Sequence, residues 1–217
     1  MIKYAFFDLD GTIIRSDPGV IECVKYSIEK SGFPMPDIKT LFKFIGPPLR
    51  DSYMDFCSMT EEQSMRAIAY YRERYNTKGI FECEVYPGII ELFARLKSNG
   101  IIIATATSKP EHMAVRIADK FGLMEYLTLV AGSDDSETQT KTDVILNAFG
   151  RLSIDESDRG SVLMIGDRKF DVIGAHNCGI RCLGALWGYG TKDELVSSGA
   201  DYCADNASEA GDIILSV

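Results

Sequence analysis

Asp8-Leu9-Asp10-Gly11-Thr12 sets two carboxylates one residue apart in front of a glycine. At the end of a strand, that arrangement can supply a nucleophile, a proton donor and a metal ligand. Thr107-Ser108-Lys109-Pro110 offers hydroxyls and free backbone N–H groups where a helix begins, and these suit the oxygens of a phosphate. Lys141 stands at the head of a helical stretch running to Leu152. Gly166-Asp167-Arg168-Lys169-Phe170-Asp171 holds two acids four residues apart at a strand-to-helix junction, a spacing that suits Mg²⁺ with oxygen ligands and retained waters. Taken singly, each segment also reads as ordinary structure: a DxDG turn, a helix cap, a solvated lysine, capping carboxylates. Together they supply a carboxylate nucleophile, a divalent-cation site, hydroxyl and amide donors and a lysine to balance charge. Phosphoryl transfer needs that whole set.

Such groups can meet only if the chain brings four distant segments to one edge. Ile101-Ile102-Ile103-Ala104-Thr105-Ala106 reads as a buried strand: short, continuously apolar, β-branched, and preceded by an Asn99-Gly100 turn. Tyr4–Phe7, Tyr126–Val130, Val162–Ile165 and Arg181–Ala185 have the same look. Between them lie helical patterns, with Ile89, Ile90, Phe93 and Leu96 on one face and Val144, Ile145, Ala148 and Leu152 on another. Alternating strands and helices with buried strands predict an α/β fold, a doubly wound parallel sheet. Each chemical segment then falls at or just after the C-terminal end of a strand or the start of a helix, where open parallel sheets place their sites.

Residues 16–79 break the alternation. They contain helical segments punctuated by Gly32-Phe33-Pro34 and Gly46-Pro47-Pro48, and the last opens on the capping-box pattern Thr60-Glu61-Glu62-Gln63 and continues through Tyr75. The expected organisation is a catalytic core of residues 1–15 and 80–217 with a small helical domain, 16–79, inserted after the first strand. Its linkers fall near Thr12–Asp17 and Gly79–Pro87. Tyr70, Tyr71 and Tyr75, at helical spacing, read as packing within it, Trp187-Gly188-Tyr189-Gly190 as a packed loop, and Arg168 and Lys169 as facing solvent.

Composition narrows the partners. Hydrophobic residues at 46% and charged residues at 25% mark a globular chain rather than a disordered one. A net charge of −9 argues against nucleic acid or an anionic membrane surface, so an anionic substrate must meet positive charge gathered locally. The six cysteines form no CxxC pair and the two histidines complete no metal-ligand spacing, which suits reduced thiols in a cytoplasmic protein better than zinc. No apolar run approaches the roughly 20 residues that span a bilayer.

DLDGT, TSKP, Lys141 and GDRKFD, in this order, resemble the four motifs of haloacid-dehalogenase-superfamily phosphatases, and the resemblance covers nearly the whole chain. The helical insert resembles that family's C1-type cap. Ile45-Gly46-Pro47-Pro48-Leu49 and Trp187-Gly188-Tyr189-Gly190 resemble segments of phosphoglycolate-phosphatase-like members. The resemblance implies that Asp8 attacks phosphorus to form an aspartyl-phosphate, and that Asp10 protonates the leaving alcohol and then activates water. It implies Mg²⁺ held by the Asp8 carboxylate, the Asp10 backbone carbonyl and Asp167, with Asp171 direct or through water. Thr107, Ser108 and Lys141 would hold the transferring phosphoryl group.

The expected activity is hydrolysis of a small phosphorylated metabolite, with phosphoglycolate, a sugar phosphate, a nucleotide monophosphate and pyrophosphate all open, by a monomer or homodimer. A β-phosphoglucomutase-like mutase shares the core and cap type and stays open. A catalytically idle phospholigand-binding module is opposed by the intact Asp8 and Asp10. A dehalogenase is disfavoured because Asp10, Asp167 and Asp171 imply an acid/base and a metal that halide displacement does not use. Arg50, following a double proline that limits local freedom, is the candidate specificity residue, able to grip an anionic substituent in bidentate fashion, and it reads equally as a solvated arginine at a helix start.

Overall fold

Phe6 and Phe7 show how the sequence builds the sheet. Neighbouring strand residues point to opposite faces, so two consecutive phenylalanines demand apolar cover on both sides. The computed structural model describes residues 1–45, 49–134 and 139–217. In it Phe6 packs against Phe149 with ring centroids 5.8 Å apart, and Phe7 meets Phe93 edge-on at 5.0 Å. Both phenylalanines of the strand are completely buried.

The chain divides into two compact units, residues 1–15 with 85–217 and residues 16–84. The first holds a six-stranded sheet in the order β5-β4-β1-β6-β7-β8. Its strands are β1 (Tyr4–Phe7), β4 (Ile102–Pro110), β5 (Leu127–Ser133), β6 (Val162–Gly166), β7 (Arg181–Ala185) and β8 (Tyr202–Ala204). All five pairings are parallel. Two further strands, β2 (Ile14–Arg15) and β3 (Glu84–Val85), pair where the chain leaves and re-enters this unit.

Helices cover both faces. On the Phe6 side, Val144, Ile145, Ala148 and Phe149 of α7 (Lys141–Leu152) and Val172 and Ala175 of α8 (Lys169–Asn177) close over Ala104, Ala131, Met164 and Cys182. On the Phe7 side, α5 (Ile89–Ser98) lies against β4 and is packed by α10 (Ala207–Ser216). This is the doubly wound α/β sheet that the alternation predicts. From β1 the chain steps outward through β4 and β5, then returns to the other side of β1 and runs through β6, β7 and β8. The order therefore reverses about β1, and the crevice beyond the strand ends at such a point is where doubly wound sheets bind ligands.

All five expected strands are found, Tyr4–Phe7 and Arg181–Ala185 with the expected ends and the other three with shifted ones. β4 runs on to Pro110, so Thr107, Ser108 and Lys109 sit within the strand's last residues rather than beyond them. β8 escapes sequence reading because it is a three-residue edge strand, Tyr-Cys-Ala, with only Ala204 fully buried, and offers no apolar run to detect.

The second unit contains α1 (Asp17–Lys30), α2 (Ile38–Phe42), α3 (Leu49–Cys57) and α4 (Glu61–Tyr75). The Thr60 capping box forms as its sequence predicts: the Gln63 N–H donates to the Thr60 hydroxyl and the Thr60 N–H to the Gln63 side chain. Tyr71 and Tyr75 are buried and stack at 5.3 Å, which makes them packing residues. Of the Ile45–Leu49 segment, Gly46, Pro47 and Pro48 lie outside the described residues. All six cysteines are free thiols, and among the described residues no helix is long and apolar enough to cross a membrane.

The central position of β1 makes its side chains the ones the core can least spare. Phe6→Ala should destabilise the protein by about 3–5 kcal/mol in urea denaturation, since it removes a buried ring and leaves a cavity. Phe170→Ala, at a side chain that is half exposed, should stay within about 0.5 kcal/mol of wild type. Equal losses at the two positions would contradict this account of the core.

Candidate active site

Register alone delivers the acids to one place. Phe7 pairs with Thr105 of β4 and with Ile165 of β6, and the Asp8 N–H donates to the Ile165 carbonyl at 2.9 Å. Asp8 therefore leaves β1 level with Gly166, one residue before Asp167. After Asp8 the chain turns sharply, with the N–H groups of Ile13 and Ile14 both returning to the Leu9 carbonyl at 2.9 Å. Gly11 makes that turn with φ +82°, and a Cβ there would lie 2.3 Å from an Asp167 oxygen. The motif glycine is required twice over, by backbone conformation and by the approach of the second acid.

Asp8, Asp167 and Asp171 each present one carboxylate oxygen, and the three lie within 4.8 Å of one another. Asp167 is fully buried; its Oδ2 accepts the Tyr189 N–H at 2.7 Å and its Oδ1 the Thr12 hydroxyl at 3.3 Å. Asp171 caps α8 by accepting the Arg168 N–H at 3.0 Å through Oδ2, which leaves Oδ1 turned to Lys141. The helix cap and the lysine contact thus fall to different oxygens of one side chain.

Lys141 is the counter-charge. From the first residue of α7 its buried side chain reaches Asp8 at 2.9 Å, Asp171 at 2.8 Å and the Ala106 carbonyl at 3.0 Å. It passes Gly174 so closely that a Cβ there would sit 2.7 Å from its Cγ. Burial alone would lower the ammonium's pKa, but Asp171 and Asp8 outweigh it and hold the group above the ordinary lysine range. The solvated-lysine reading of this position fails on geometry.

Burial pushes the Asp8 carboxyl up to about 6 against the pull of Lys141, with Asp171 and Asp10 adding to the rise. Asp167 is pushed up to about 7 by burial and by the charges of Asp8 and Asp171. Three ionised carboxylates against one ammonium leave two negative charges in excess, all in a buried or half-buried setting. A divalent cation would cancel that excess, and an all-carboxylate oxygen donor set suits a hard ion such as Mg²⁺. The residues present fit the metal.

Thr107 is buried and its Oγ1 accepts the Lys109 N–H at 3.2 Å, while Ser108 is exposed and its carbonyl accepts the Ser133 hydroxyl at 2.8 Å. Asp10 Oδ2 pairs with Lys109 at 3.0 Å. Arg50 lies exposed at the start of α3 in the second unit, near Asp51 at 3.1 Å and Glu61 at 3.6 Å. Arg168, expected in solvent, instead pairs with Glu194 at 2.9 Å.

The sequence reading missed the part played by the Trp187–Gly190 loop. Its Tyr189 N–H holds Asp167, and the Trp187 indole N–H donates to the Thr12 carbonyl at 3.0 Å. A Cβ on Gly188 would come within 2.3 Å of Asp167 Cβ, and one on Gly190 within 1.9 Å of the Asp167 carbonyl. The loop is packed, as expected, but what it packs on is an acid of the cluster. Its two glycines one residue apart were the available signal.

A sequence model described as haloacid dehalogenase-like hydrolase matches residues 5–185. The chain belongs to that family. It is 34% identical to a 5'-nucleotidase of Pseudomonas aeruginosa over 93% of this chain and 91% of the relative. A phosphoglycolate phosphatase 1 of the same organism is 28% identical, over 98% of this chain and 82% of that one. The tyrosine-protein kinase PtkA of Mycobacterium tuberculosis is 33% identical over 88% of this chain, a match spanning 64% of the kinase. Among solved structures, one described as a predicted phosphatase from Clostridium acetobutylicum superposes with a TM-score of 0.89 at 39% identity, covering 100% of both chains.

The raised Asp167 value has a consequence for metal-free protein. Its folded-state pKa, about 7, lies above the ordinary 3.8, so the folded state binds that proton more tightly than the unfolded state. Without metal, stability should fall as pH rises from about 4 through about 7. Asp167→Asn removes the buried charge and should melt several degrees higher than wild type in EDTA at about pH 8. Added Mg²⁺ should stabilise wild type more than the variant. A lower melting temperature for the variant in EDTA would contradict the charge-excess argument.

Proposed function

We propose that this phosphatase hydrolyses a small phosphomonoester through an aspartyl-phosphate on Asp8, with Mg²⁺ bound by Asp8, the Asp10 backbone carbonyl and Asp167, and Asp171 direct or through water. The observation that carries the reading is the buried Lys141 ammonium between Asp8 and Asp171, beside a third carboxylate, at the point where the strand order reverses. An Asp8 oxygen attacks phosphorus, the bond to the ester oxygen breaks, and Asp10 delivers a proton to the departing alcohol. Water then attacks the phosphorus of the aspartyl-phosphate, Asp10 takes its proton, and inorganic phosphate leaves with Asp8 restored. Lys141, the Thr107 hydroxyl and groups of Ser108 hold the phosphoryl oxygens. The cation, when bound, offsets negative charge on nucleophile and phosphate so that the two can approach.

The helical unit, residues 16–84, is proposed as the cap that selects the leaving alcohol and excludes bulk water. Nucleoside monophosphates and phosphoglycolate lead the substrate classes, in keeping with the names of two relatives. A mutase would use the same Asp8 chemistry and differ in how long the phospho-aspartate survives and in the cap groups that present a second substrate hydroxyl to it.

Asp8→Asn keeps size and hydrogen bonding but removes the anionic nucleophile. Release of phosphate from p-nitrophenyl phosphate should fall by several orders of magnitude, and wild type should lose activity in EDTA and regain it with Mg²⁺. Residual turnover above roughly a tenth of wild type would sink the nucleophile assignment. Activity undiminished by chelation would sink the metal.

Arg50→Ala addresses specificity. It should raise KM or lower kcat for the best substrate in a panel of phosphomonoesters and barely alter p-nitrophenyl phosphate hydrolysis, whose leaving group offers arginine no second anion. Equal effects on both substrates, or none, would remove Arg50 from the recognition set.

A further inference from the structure

The site contains a second, largely buried lysine that the proposed chemistry leaves without a role. Lys109 has a side chain only 9% exposed, and its ammonium lies 3.0 Å from Oδ2 of Asp10. Its backbone is pinned on both sides. Its N–H donates to the Thr107 hydroxyl at 3.2 Å, and its carbonyl lies so close to Gly132 of β5 that a Cβ there would stand 2.6 Å away. The preceding carbonyl, that of Ser108, accepts the Ser133 hydroxyl at 2.8 Å. The stem of this lysine is thereby fixed to the ends of two adjacent strands.

Asp10 needs such a partner. It sits past the end of β1 in the turn, where the backbone holds the Cα but not the side-chain torsions. Its Oδ1 is buried and forms no hydrogen bond among the described residues, so Oδ2 is the oxygen by which the carboxylate is held. Lys141 cannot do this as well, since its contacts go to Asp8, Asp171 and a backbone carbonyl.

We propose that Lys109 is a positioning residue for Asp10: it holds the carboxylate in the orientation from which a proton passes to the leaving alcohol and is later taken from water. The two lysines then divide the work, Lys141 serving the nucleophile and Lys109 the acid/base. The proposal rests on the reading of Asp10 as that acid/base, and its test separates the two.

The Mg²⁺-loaded enzyme is assayed on p-nitrophenyl phosphate, whose leaving group departs with little help from a proton, and on an alkyl phosphate, whose leaving group needs one. kcat/KM reports only the steps up to the phospho-enzyme, whereas kcat also includes its hydrolysis. Lys109→Met should lower kcat/KM for the alkyl ester by roughly 10²-fold, the usual cost of a misplaced catalytic group, and by less than about threefold for the nitrophenyl ester. For the nitrophenyl ester kcat and KM should fall together, because slower hydrolysis of the phospho-enzyme lowers both. Lys109→Arg should recover most of the loss, and Lys109→Gln is carried alongside so that the ratio can be read should the methionine variant fail to fold.

Equal loss of kcat/KM on both esters would overturn the proposal in favour of direct phosphate binding or a general structural role, and no loss on either would overturn it outright. Asp10→Asn supplies the control. If it discriminates between the esters while the Lys109 variants do not, the proposal falls and the reading of Asp10 stands. If Asp10→Asn does not discriminate, that reading falls and the proposal falls with it.

Discussion

The structure is organised around an excess of buried negative charge. Asp8, Asp167 and Asp171 converge within 4.8 Å, and the ammonium placed among them, Lys141, can balance only part of their charge. Like charges at this separation and burial cost several kcal/mol unless they are protonated or countered. The raised values for Asp8, about 6, and Asp167, about 7, express that cost. A sequence selected only for stability would have an apolar or neutral group at one of these positions. The arrangement makes physical sense as a site that a cation would complete, with Lys141 already in place beside it.

Around that centre the fold acts as a jig. Parallel pairing puts the ends of β1, β4 and β6 side by side, so Asp8 and Asp167 need no long side chains to converge. Close approach then has to be permitted, and glycine permits it. Gly11 makes room for Asp167, Gly174 for the Lys141 stem, and Gly188 and Gly190 for the loop that clamps Asp167 through the Tyr189 N–H. Helix starts complete the jig, since Lys141 opens α7 and Asp171 lies in the first turn of α8. The elements that look purely structural therefore set the geometry of the acids, and the price of a single methyl group at these glycines is a displaced carboxylate.

Lys109 and Lys141 illustrate how two similar side chains acquire different duties from their surroundings. Lys141 is buried, Lys109 is largely so, and both face carboxylates at 2.8–3.0 Å. Lys141 stands at a helix start beside two acids of the cluster, while Lys109 lies near the end of a strand tied to β5 and pairs with the acid in the β1 turn. The division follows from which strand end each stem is rooted in.

Much of this was legible from residue order. Short, largely apolar runs between helical patterns point to buried parallel strands, so Tyr4–Phe7, Val162–Ile165 and Arg181–Ala185 declared themselves, and with them the doubly wound sheet. DLDGT and GDRKFD declared their acids because a carboxylate at a strand end beside glycine is a local pattern. What the sequence could not give was any fact that depends on two distant backbones meeting. Lys141 reads as a surface charge when taken alone and as a site residue only within the four-motif set, and its seat between Asp8 and Asp171 required β1 and α8 to be brought beside it. Lys109 reads as part of a phosphate-binding turn until Asp10 is found 3.0 Å away. The Trp187–Gly190 loop, 20 residues beyond Asp167 in the chain, touches that acid through a backbone N–H, which every residue type but proline carries and which no pattern of side chains can announce. Local chemistry fixed which groups are present; long-range packing decided which of them face one another.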